Sequence, residues 1–175
     1  MDDQGRSGGA CTRRERKRWR RRKGIRLADD AYGAGEPFLL TVCTSGQQAL
    51  LTTERFGPLA HQSMTGAGEK TGGMLWCGVV MPDHVHLLVS AMPGKSPLDV
   101  AACFKRLSTI GVRKLGFAGT LWQRRTHDRG LRSAFDSNLE AAVRYVLENP
   151  VRKALVSAWE DWPLSYLHED LSTFA

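Results

Sequence analysis

Two histidines separated by a single residue give the clearest chemical pattern in this sequence. The run from 82 to 89 has the composition of a β-strand, and side chains on a strand alternate between its two faces. His84 and His86 therefore point to one side, while Val85 points to the core behind the sheet. Two imidazoles on one face are a preformed pair of ligands for a divalent metal. The same spacing also fits an ordinary solvent-facing pair of histidines.

A tyrosine and an asparagine four residues apart form the second part of the pattern. Tyr145 and Asn149 share one face of a helix that we predict from about 138 to 148. Pro150 is expected to stop this helix, because proline lacks a backbone donor and clashes with the preceding turn. Tyr145 also fits a plain core residue, since Val and Leu follow it.

Taken together, the two patterns predict a metal-assisted tyrosine nucleophile. The metal ligands would be the two histidines and an amide oxygen: His84, His86 and Asn149. Tyr145 would be the nucleophile. The competing tyrosines are Tyr32, near a glycine-rich segment, and Tyr166, near the C-terminus.

The chain resembles the REP-associated tyrosine transposases, a group of single-domain HUH tyrosine transposases whose name describes a His-hydrophobe-His motif. The resemblance rests on the His84–His86 strand and on the run from 145 to 156 that begins Tyr-Val-Leu-Glu-Asn-Pro-Val, and it covers about residues 24 to 170. Further matching segments lie at 25–27, 32–35, 38–44, 104–105, 121–124 and 161–166. The chain departs from the family at 126–129, where the acid Asp128 matches but the histidine expected after it is absent.

The resemblance implies an enzyme that cleaves and rejoins single-stranded DNA bearing a hairpin. Tyr145 would form a covalent 5′-phosphotyrosine link and release a 3′-hydroxyl, which conserves the bond energy for joining a second DNA end. A mixed shell of imidazole, amide and phosphate ligands suits Mg²⁺ or Mn²⁺. The expected protein is a bacterial, cytoplasmic and nucleoid-associated monomer or homodimer with no membrane partner.

Basic residues around the predicted site are candidates for tracking the DNA phosphates. Each of them also fits an ordinary solvated surface. They are Lys105 and Arg106 on one helix, Arg124 and Arg125 on a predicted strand, and Arg152 and Lys153 after the tyrosine helix. Trp122 is expected in the core rather than as a platform for a base.

The positive charge of the chain is concentrated in one short segment. The net charge is +7, whereas the stretch 13–23 alone holds nine basic residues and one acid, so the rest of the chain sums to −1. Such a block attracts the phosphate backbone through counterion release, although a solvated tail without a partner has the same composition. We therefore divide the chain into a disordered basic tail, 1–23, and a transposase domain, 24–175.

The elements that must position these residues follow from local patterns. We predict strands at 37–44, 74–81, 84–90 and 121–125, with a tight Pro-Asp connection between the second and third. A short helix near 58–65 precedes a glycine-rich loop, and a longer helix runs from 97 to about 115 with an apolar stripe of Leu98, Ala101, Ala102, Leu107 and Ile110. The resulting α+β fold is a ferredoxin-like antiparallel sheet with helices on one face, plus a C-terminal tyrosine-bearing helix.

Composition limits the remaining classes of protein. A chain of 175 residues buries a core as one domain, and no apolar run approaches the roughly 20 residues that span a bilayer. The N-terminal charges are not followed by the apolar segment of a secretory signal. Four scattered cysteines fit reduced thiols better than a zinc site or a disulfide framework.

Two other functions remain compatible with the sequence. A domesticated copy of such a transposase would bind palindromic repeats without cleaving them. The presence of the two histidines, Tyr145 and Asn149 in this chain argues against a simple loss of cleavage. An RNA-binding ferredoxin-like protein would need exposed aromatic residues on its central strands, whereas the run 80–89 offers histidines and aliphatic residues.

Overall fold

The computed structural model describes residues 35–130 and 139–174. The basic segment 13–23 and Tyr32 lie outside these ranges, so the predictions made for them stay predictions. Within the described ranges the strands are β1 (Pro37–Cys43), β2 (Met74–Val80), β3 (His84–Ser90), β4 (His127–Gly130) and β5 (Ser165–Leu167). The helices are α1 (Gly57–Thr71), α2 (Pro97–Lys114), α3 (Leu139–Leu147) and the single turn α4 (Asn149–Arg152).

The strands form one five-stranded sheet in the order β4-β1-β3-β2-β5, and all neighbours are antiparallel. The predicted α+β class with an antiparallel sheet is therefore confirmed. The strands β2 and β3 are joined through the predicted Pro82-Asp83 turn, across which the Met81 amide donates to the His84 carbonyl at 2.8 Å. This hairpin places β3 between β1 and β2, so both edges of the histidine strand are hydrogen-bonded.

The two faces of the sheet carry different layers. One face packs against α1 and α2, since a Cβ placed on Gly78 would lie 2.3 Å from the Met64 sulfur of α1. Gly78 pairs with Leu87, so the neighbouring His86 points to the opposite face, where α3 packs against β2 and β3. The core between the sheet and the first helical layer includes the fully buried Leu40, Leu87 and Phe104. Burial of each such side chain contributes roughly 1.5–3 kcal/mol.

Helix α2 begins and ends close to the predicted positions. Ser96 and Asp99 form a capping box, and Pro97 occupies the first turn, where its missing donor costs nothing. The predicted apolar stripe is wrong at two positions, because Ala102 and Ile110 are exposed. The buried row instead follows a spacing of four residues and accepts a serine: Val100, Phe104, Ser108 and Val112.

Helix α1 is longer than predicted. It continues through the glycines that were expected to form a loop and ends at Thr71, where Gly72 adopts a left-handed conformation with φ 70°. Each glycine inside a helix costs about 1 kcal/mol relative to alanine. Tertiary packing outweighs that cost: Met64 and Ala67 are fully buried, and Gly68 lets the helix approach the Gly73 carbonyl, 3.2 Å from where a Cβ would stand.

The fourth strand is not where it was predicted. The segment 121–125 forms only one isolated bridge, between Trp122 and Thr44, and the fourth strand is β4, farther along the chain. Trp122 packs inward here: it is 7% exposed and donates its indole N–H to the Ser108 hydroxyl of α2 at 2.9 Å. Trp122 is thus a core residue, as expected, and Arg124 and Arg125 are exposed in a loop rather than on a strand.

Two further properties concern the described part of the chain as a whole. Its helices include none that is long and apolar enough to cross a membrane. Cys43, Cys77 and Cys103 carry free thiols.

Candidate metal and nucleophile site

The two histidines of β3 converge on the sheet face that α3 covers. Their Nε2 atoms lie 3.2 Å apart, and their ring centroids are separated by 4.7 Å. The prediction that they share one face is met by this geometry. The alternative of an ordinary solvent-facing pair does not hold for His86, which is only 7% exposed because α3 lies over it.

The Nε2 atoms of the two histidines face each other, while each Nδ1 atom has a hydrogen-bonding partner of its own. The His84 Nδ1 lies 2.6 Å from the Asp83 carboxylate, and the His86 Nδ1 lies 2.9 Å from the Thr41 hydroxyl. Partners of this kind fix the orientation and tautomer of metal-binding histidines and raise their basicity. Sequence reasoning missed both partners. Asp83 adjoins His84 in sequence, whereas Thr41 faces His86 only through the β1–β3 register.

The hydrogen bonds restrict the tautomers that the pair adopts. A neutral His84 that donates its Nδ1 proton to the Asp83 carboxylate has a lone pair on Nε2. His86 can then donate from Nε2 to His84 while its Nδ1 accepts from the Thr41 hydroxyl. The opposite tautomer of His86 would direct two lone pairs toward one point, with Thr41 accepting instead. The hydroxyl serves both arrangements, because it both donates and accepts.

His86 is held in the neutral form that a metal ligand requires. Burial lowers the pKa of His86 to about 3, and the nearby His84 and Arg152 act in the same direction. A neutral imidazole is the form that binds metals.

The histidine pair supplies only two of the ligands that a divalent ion takes. Among the described residues, no three side chains of His, Cys, Asp or Glu are grouped to hold a metal. Two convergent imidazoles would therefore need further oxygen ligands, such as an amide, a phosphate or water. Mg²⁺ and Mn²⁺ accept such mixed shells, and imidazole favours Mn²⁺ of the two.

Tyr145 lies at the edge of the same site. Its ring is 47% exposed and contacts His86 with ring centroids 6.2 Å apart and an interplanar angle of 66°. The guanidinium carbon of Arg152 lies over the Tyr145 ring, 4.3 Å from its centroid. The structure thus brings together a phenol, a metal-competent imidazole and a fixed positive charge.

The side chain of Asn149 satisfies two backbone carbonyls of the tyrosine helix, a role that the sequence did not reveal. Its side-chain Nδ2 donates to the Tyr145 carbonyl at 2.9 Å and to the Val146 carbonyl at 3.1 Å. Val146 stands four residues before Pro150, which has no N–H to offer its carbonyl. With both amide hydrogens engaged, the side-chain oxygen is the atom that remains to bind a metal, and that role stays a prediction.

The end of the tyrosine helix differs in detail from the prediction. Helix α3 ends at Leu147, and after Glu148 the chain continues in the turn α4, which contains the buried Pro150. Backbone bonds from Lys153 to the Asn149 carbonyl and from Leu155 to the Pro150 carbonyl secure this turn. Pro150 therefore lies inside a second helical segment, which follows α3 after Glu148, rather than ending the helical structure.

The predicted phosphate-binding residues occupy different environments. Lys105 is partly buried, and its ammonium donates to the carbonyls of Gln123 at 2.9 Å and Arg124 at 3.4 Å. Burial lowers its pKa, so this lysine is committed to the fold at least as much as to a ligand. The other candidates are exposed: Arg106, Arg124, Arg125, Arg152 and Lys153. Of these five, Arg152 contacts Tyr145.

The competing Tyr166 lies elsewhere. It belongs to the edge strand β5 and lines a separate open groove of about 620 Å³ together with Trp76 and His168. Burial raises the pKa of the Tyr166 phenol, with Glu169 and Glu69 adding to the effect. Neither histidine of the pair lines this groove.

Comparisons with known proteins give a match in structure only. No protein-family model matches the chain, and no curated protein matches it. The structure is similar to that of a REP-associated tyrosine transposase bound to a REP hairpin, with a TM-score of 0.63 and 24% identity over 81% of this chain and 82% of that one. It is also similar to a candidate transposase of Deinococcus radiodurans R1, with a TM-score of 0.51 and 21% identity over 70% of this chain and 96% of that one.

At these identities the likeness concerns the fold. The resemblance that the sequence indicated is confirmed at that level: this chain shares its fold with a REP-associated tyrosine transposase.

Proposed function

We propose that the protein is an HUH-type tyrosine transposase that cleaves and rejoins hairpin-bearing single-stranded DNA. The observation that carries the proposal is the contact between Tyr145 and His86, whose Nε2 lies 3.2 Å from that of His84. A phenol beside two convergent imidazoles is the arrangement that a metal-assisted tyrosine nucleophile requires. The shared fold with a transposase bound to a REP hairpin supports the same activity.

We interpret the first four strands as a ferredoxin-like core. Their order β4-β1-β3-β2, with α1 and α2 as the crossovers, fits that topology, and β5 extends it at one edge. Helix α3 then serves as the nucleophile helix, because it lies on the face that carries the histidines. The sheet would hold the metal ligands still while the helix presents the phenol.

We propose His84, His86 and the Asn149 side-chain oxygen as the ligands of Mg²⁺ or Mn²⁺. When bound, such an ion acts as a Lewis acid toward the scissile phosphate. Thr41 and Asp83 would hold the two imidazoles in place through their Nδ1 atoms. Asn149 would tie its ligand oxygen to the end of the nucleophile helix through its Nδ2.

Tyr145 performs the covalent step in this mechanism. Its phenolic oxygen forms a bond to the 5′ phosphate, and the bond from phosphorus to the 3′ oxygen breaks. The phenol loses its proton, and the departing 3′ oxygen leaves as a hydroxyl. In the joining step a 3′-hydroxyl attacks the phosphotyrosine and regenerates the phenol, so no nucleotide energy source is needed.

The substrate follows from the same reasoning. We propose a single strand with a palindromic hairpin, held through its phosphates by exposed basic residues around the site. Arg152 is the best placed of these, and the remaining candidates are Arg106, Arg124, Arg125 and Lys153. Lys105 would contribute less, because its ammonium already donates to two backbone carbonyls.

The test is a search for the covalent adduct. The protein is incubated with Mn²⁺ and a library of labelled single strands that carry hairpins, and the products are separated on a denaturing gel. A labelled band at the size of protein plus DNA is expected from the wild type and from Tyr166→Phe, and not from Tyr145→Phe. Specific hairpin binding without any adduct in the wild type would refute cleavage and point to a non-cleaving palindrome-binding protein.

A further inference from the structure

Arg152 makes an unusual set of contacts with the candidate nucleophile. Its guanidinium covers the Tyr145 ring at 4.3 Å, and one of its N–H groups donates to the backbone carbonyl of that same residue. The Glu148 carboxylate lies 3.9 Å from the guanidinium and forms an exposed ion pair with it. One side chain thus contacts both the ring and the backbone carbonyl of Tyr145.

The Tyr145 carbonyl that Arg152 contacts lies near the junction of α3 and α4. The Tyr145 carbonyl lies in the last turn of α3, where carbonyls lose their regular helical partners. Arg152 belongs to α4, which follows α3 after the single residue Glu148, and its guanidinium donates to that carbonyl. In an uninterrupted helix, a residue seven positions on would stand about two turns away along the axis.

The position of Arg152 also relates the ring to the metal ligands. The Tyr145 ring, which Arg152 covers, contacts His86 with ring centroids 6.2 Å apart. The open side of the ring borders a groove of about 290 Å³ between α3 and α4. Six residues line this groove: Glu140, Ala141, Arg144, Tyr145, Glu148 and Arg152.

We propose that Arg152 is a positioning residue for the nucleophile, a role that rests on the proposed function. Its planar guanidinium holds the Tyr145 ring by stacking and by the carbonyl bond, so that the ring stays in contact with His86. Fixing a half-exposed aromatic ring removes conformations that cannot react. This role depends on the flat, forked shape of arginine, which lysine does not share.

A role in phosphate binding alone makes different demands. A lysine at this position would keep the charge, so it would preserve much of a simple phosphate contact. The pair Arg152→Lys and Arg152→Gln therefore separates shape from charge. Lys153→Gln is the matched control, because this neighbouring residue is exposed and equally basic.

The first measurement does not depend on activity. The protein is produced with 3-fluorotyrosine at its three tyrosines, and the Tyr145 resonance is identified by its loss in Tyr145→Phe. We expect ¹⁹F spectra in which this resonance is displaced in both Arg152 variants and unchanged in Lys153→Gln. A Tyr145 resonance that stays in place in both Arg152 variants would overturn the proposal.

The second measurement separates kcat from KM for adduct formation on a hairpin-bearing strand with Mn²⁺. We expect kcat to fall about 10- to 100-fold in Arg152→Lys as well as in Arg152→Gln, with KM for the lysine variant within about twofold of the wild type. A wild-type kcat in Arg152→Lys would overturn the positioning role and leave the transposase activity standing. A wild-type protein that forms no adduct would overturn the proposed function, and the positioning role with it, whatever the fluorine spectra show.

Discussion

Two residues that the sequence did not single out, Thr41 and Asp83, contact the imidazoles of His84 and His86. Thr41 and Asp83 occupy the Nδ1 atoms, so the two Nε2 atoms are left facing each other. His86 is buried, and its partner Thr41 lies on another strand. The site therefore depends on the sheet as much as on the His-x-His motif. Replacing His86 by Ala would leave the Thr41 hydroxyl without this partner, so we do not expect the unchanged folding that a solvent-lined pair would allow.

Replacement of Thr41 by Val tests this dependence at the scale of one hydroxyl. The two side chains have nearly the same shape, but Val cannot hold the His86 Nδ1. We expect Mn²⁺ affinity, measured by calorimetry, to fall about 10- to 100-fold, which is the usual cost of losing an outer partner of a metal ligand. The free energy of unfolding should fall by about 1 kcal/mol, the net contribution of one hydrogen bond.

Thr65→Val provides the control for Thr41→Val. The Thr65 hydroxyl bonds only to the Gln62 carbonyl within α1, at an exposed position. Its loss should leave Mn²⁺ binding unchanged. Equal Mn²⁺ affinity in Thr41→Val and the wild type would show that Thr41 does not position His86.

At the scale of elements, the junction between α3 and α4 combines two demands on Asn149. The side-chain nitrogen satisfies the carbonyls of Tyr145 and Val146, and the side-chain oxygen is the proposed metal ligand. The sequence predicted the second role from the spacing of Tyr145 and Asn149. It did not predict the first, because that role arises from the donor that Pro150 lacks.

Asn149→Asp and Asn149→Ala separate these demands. The aspartate keeps an oxygen ligand but has no donors, so we expect Mn²⁺ affinity to be retained or increased while the free energy of unfolding falls by about 1–3 kcal/mol. The alanine variant should lose both metal affinity and stability. Calorimetry and urea unfolding measure the two quantities. If the aspartate weakened Mn²⁺ binding as much as the alanine, the ligand role of Asn149 would be wrong.

The elements that the sequence predicted well are those with strong local patterns. The strands β1, β2 and β3 and the proline-initiated α2 fall close to their predicted bounds, because alternation, capping and turn residues all agree there. The length of α1 and the place of β4 were mispredicted, since both depend on distant partners. Gly68 is tolerated because it packs closely on the chain near Gly73. Trp122 keeps a single bridge to Thr44, while its indole donates to Ser108 of α2.

At the scale of the whole molecule, charge is divided between the segment 13–23 and everything else. That segment alone carries a charge of +8, so the rest of the chain sums to −1. The rest of the chain therefore has little overall attraction for DNA. In the proposed function, recognition of DNA by the rest of the chain would then come from local groups such as Arg152 at the tyrosine. The basic segment would supply attraction that is independent of sequence and structure in the DNA.

Deletion of residues 1–23 tests this division of labour. We expect weaker binding to every single strand by a similar factor and a flatter dependence of affinity on salt, because fewer counterions are released when the segment is missing. Deletion of residues 1–12 alone is the control, since it leaves the basic segment intact and should preserve the salt slope. Fluorescence anisotropy at several salt concentrations, with a hairpin and an unstructured strand of equal length, measures both affinity and discrimination. Loss of discrimination between the two strands after deletion of 1–23 would make the segment a reader of the hairpin, contrary to the role assigned to it here.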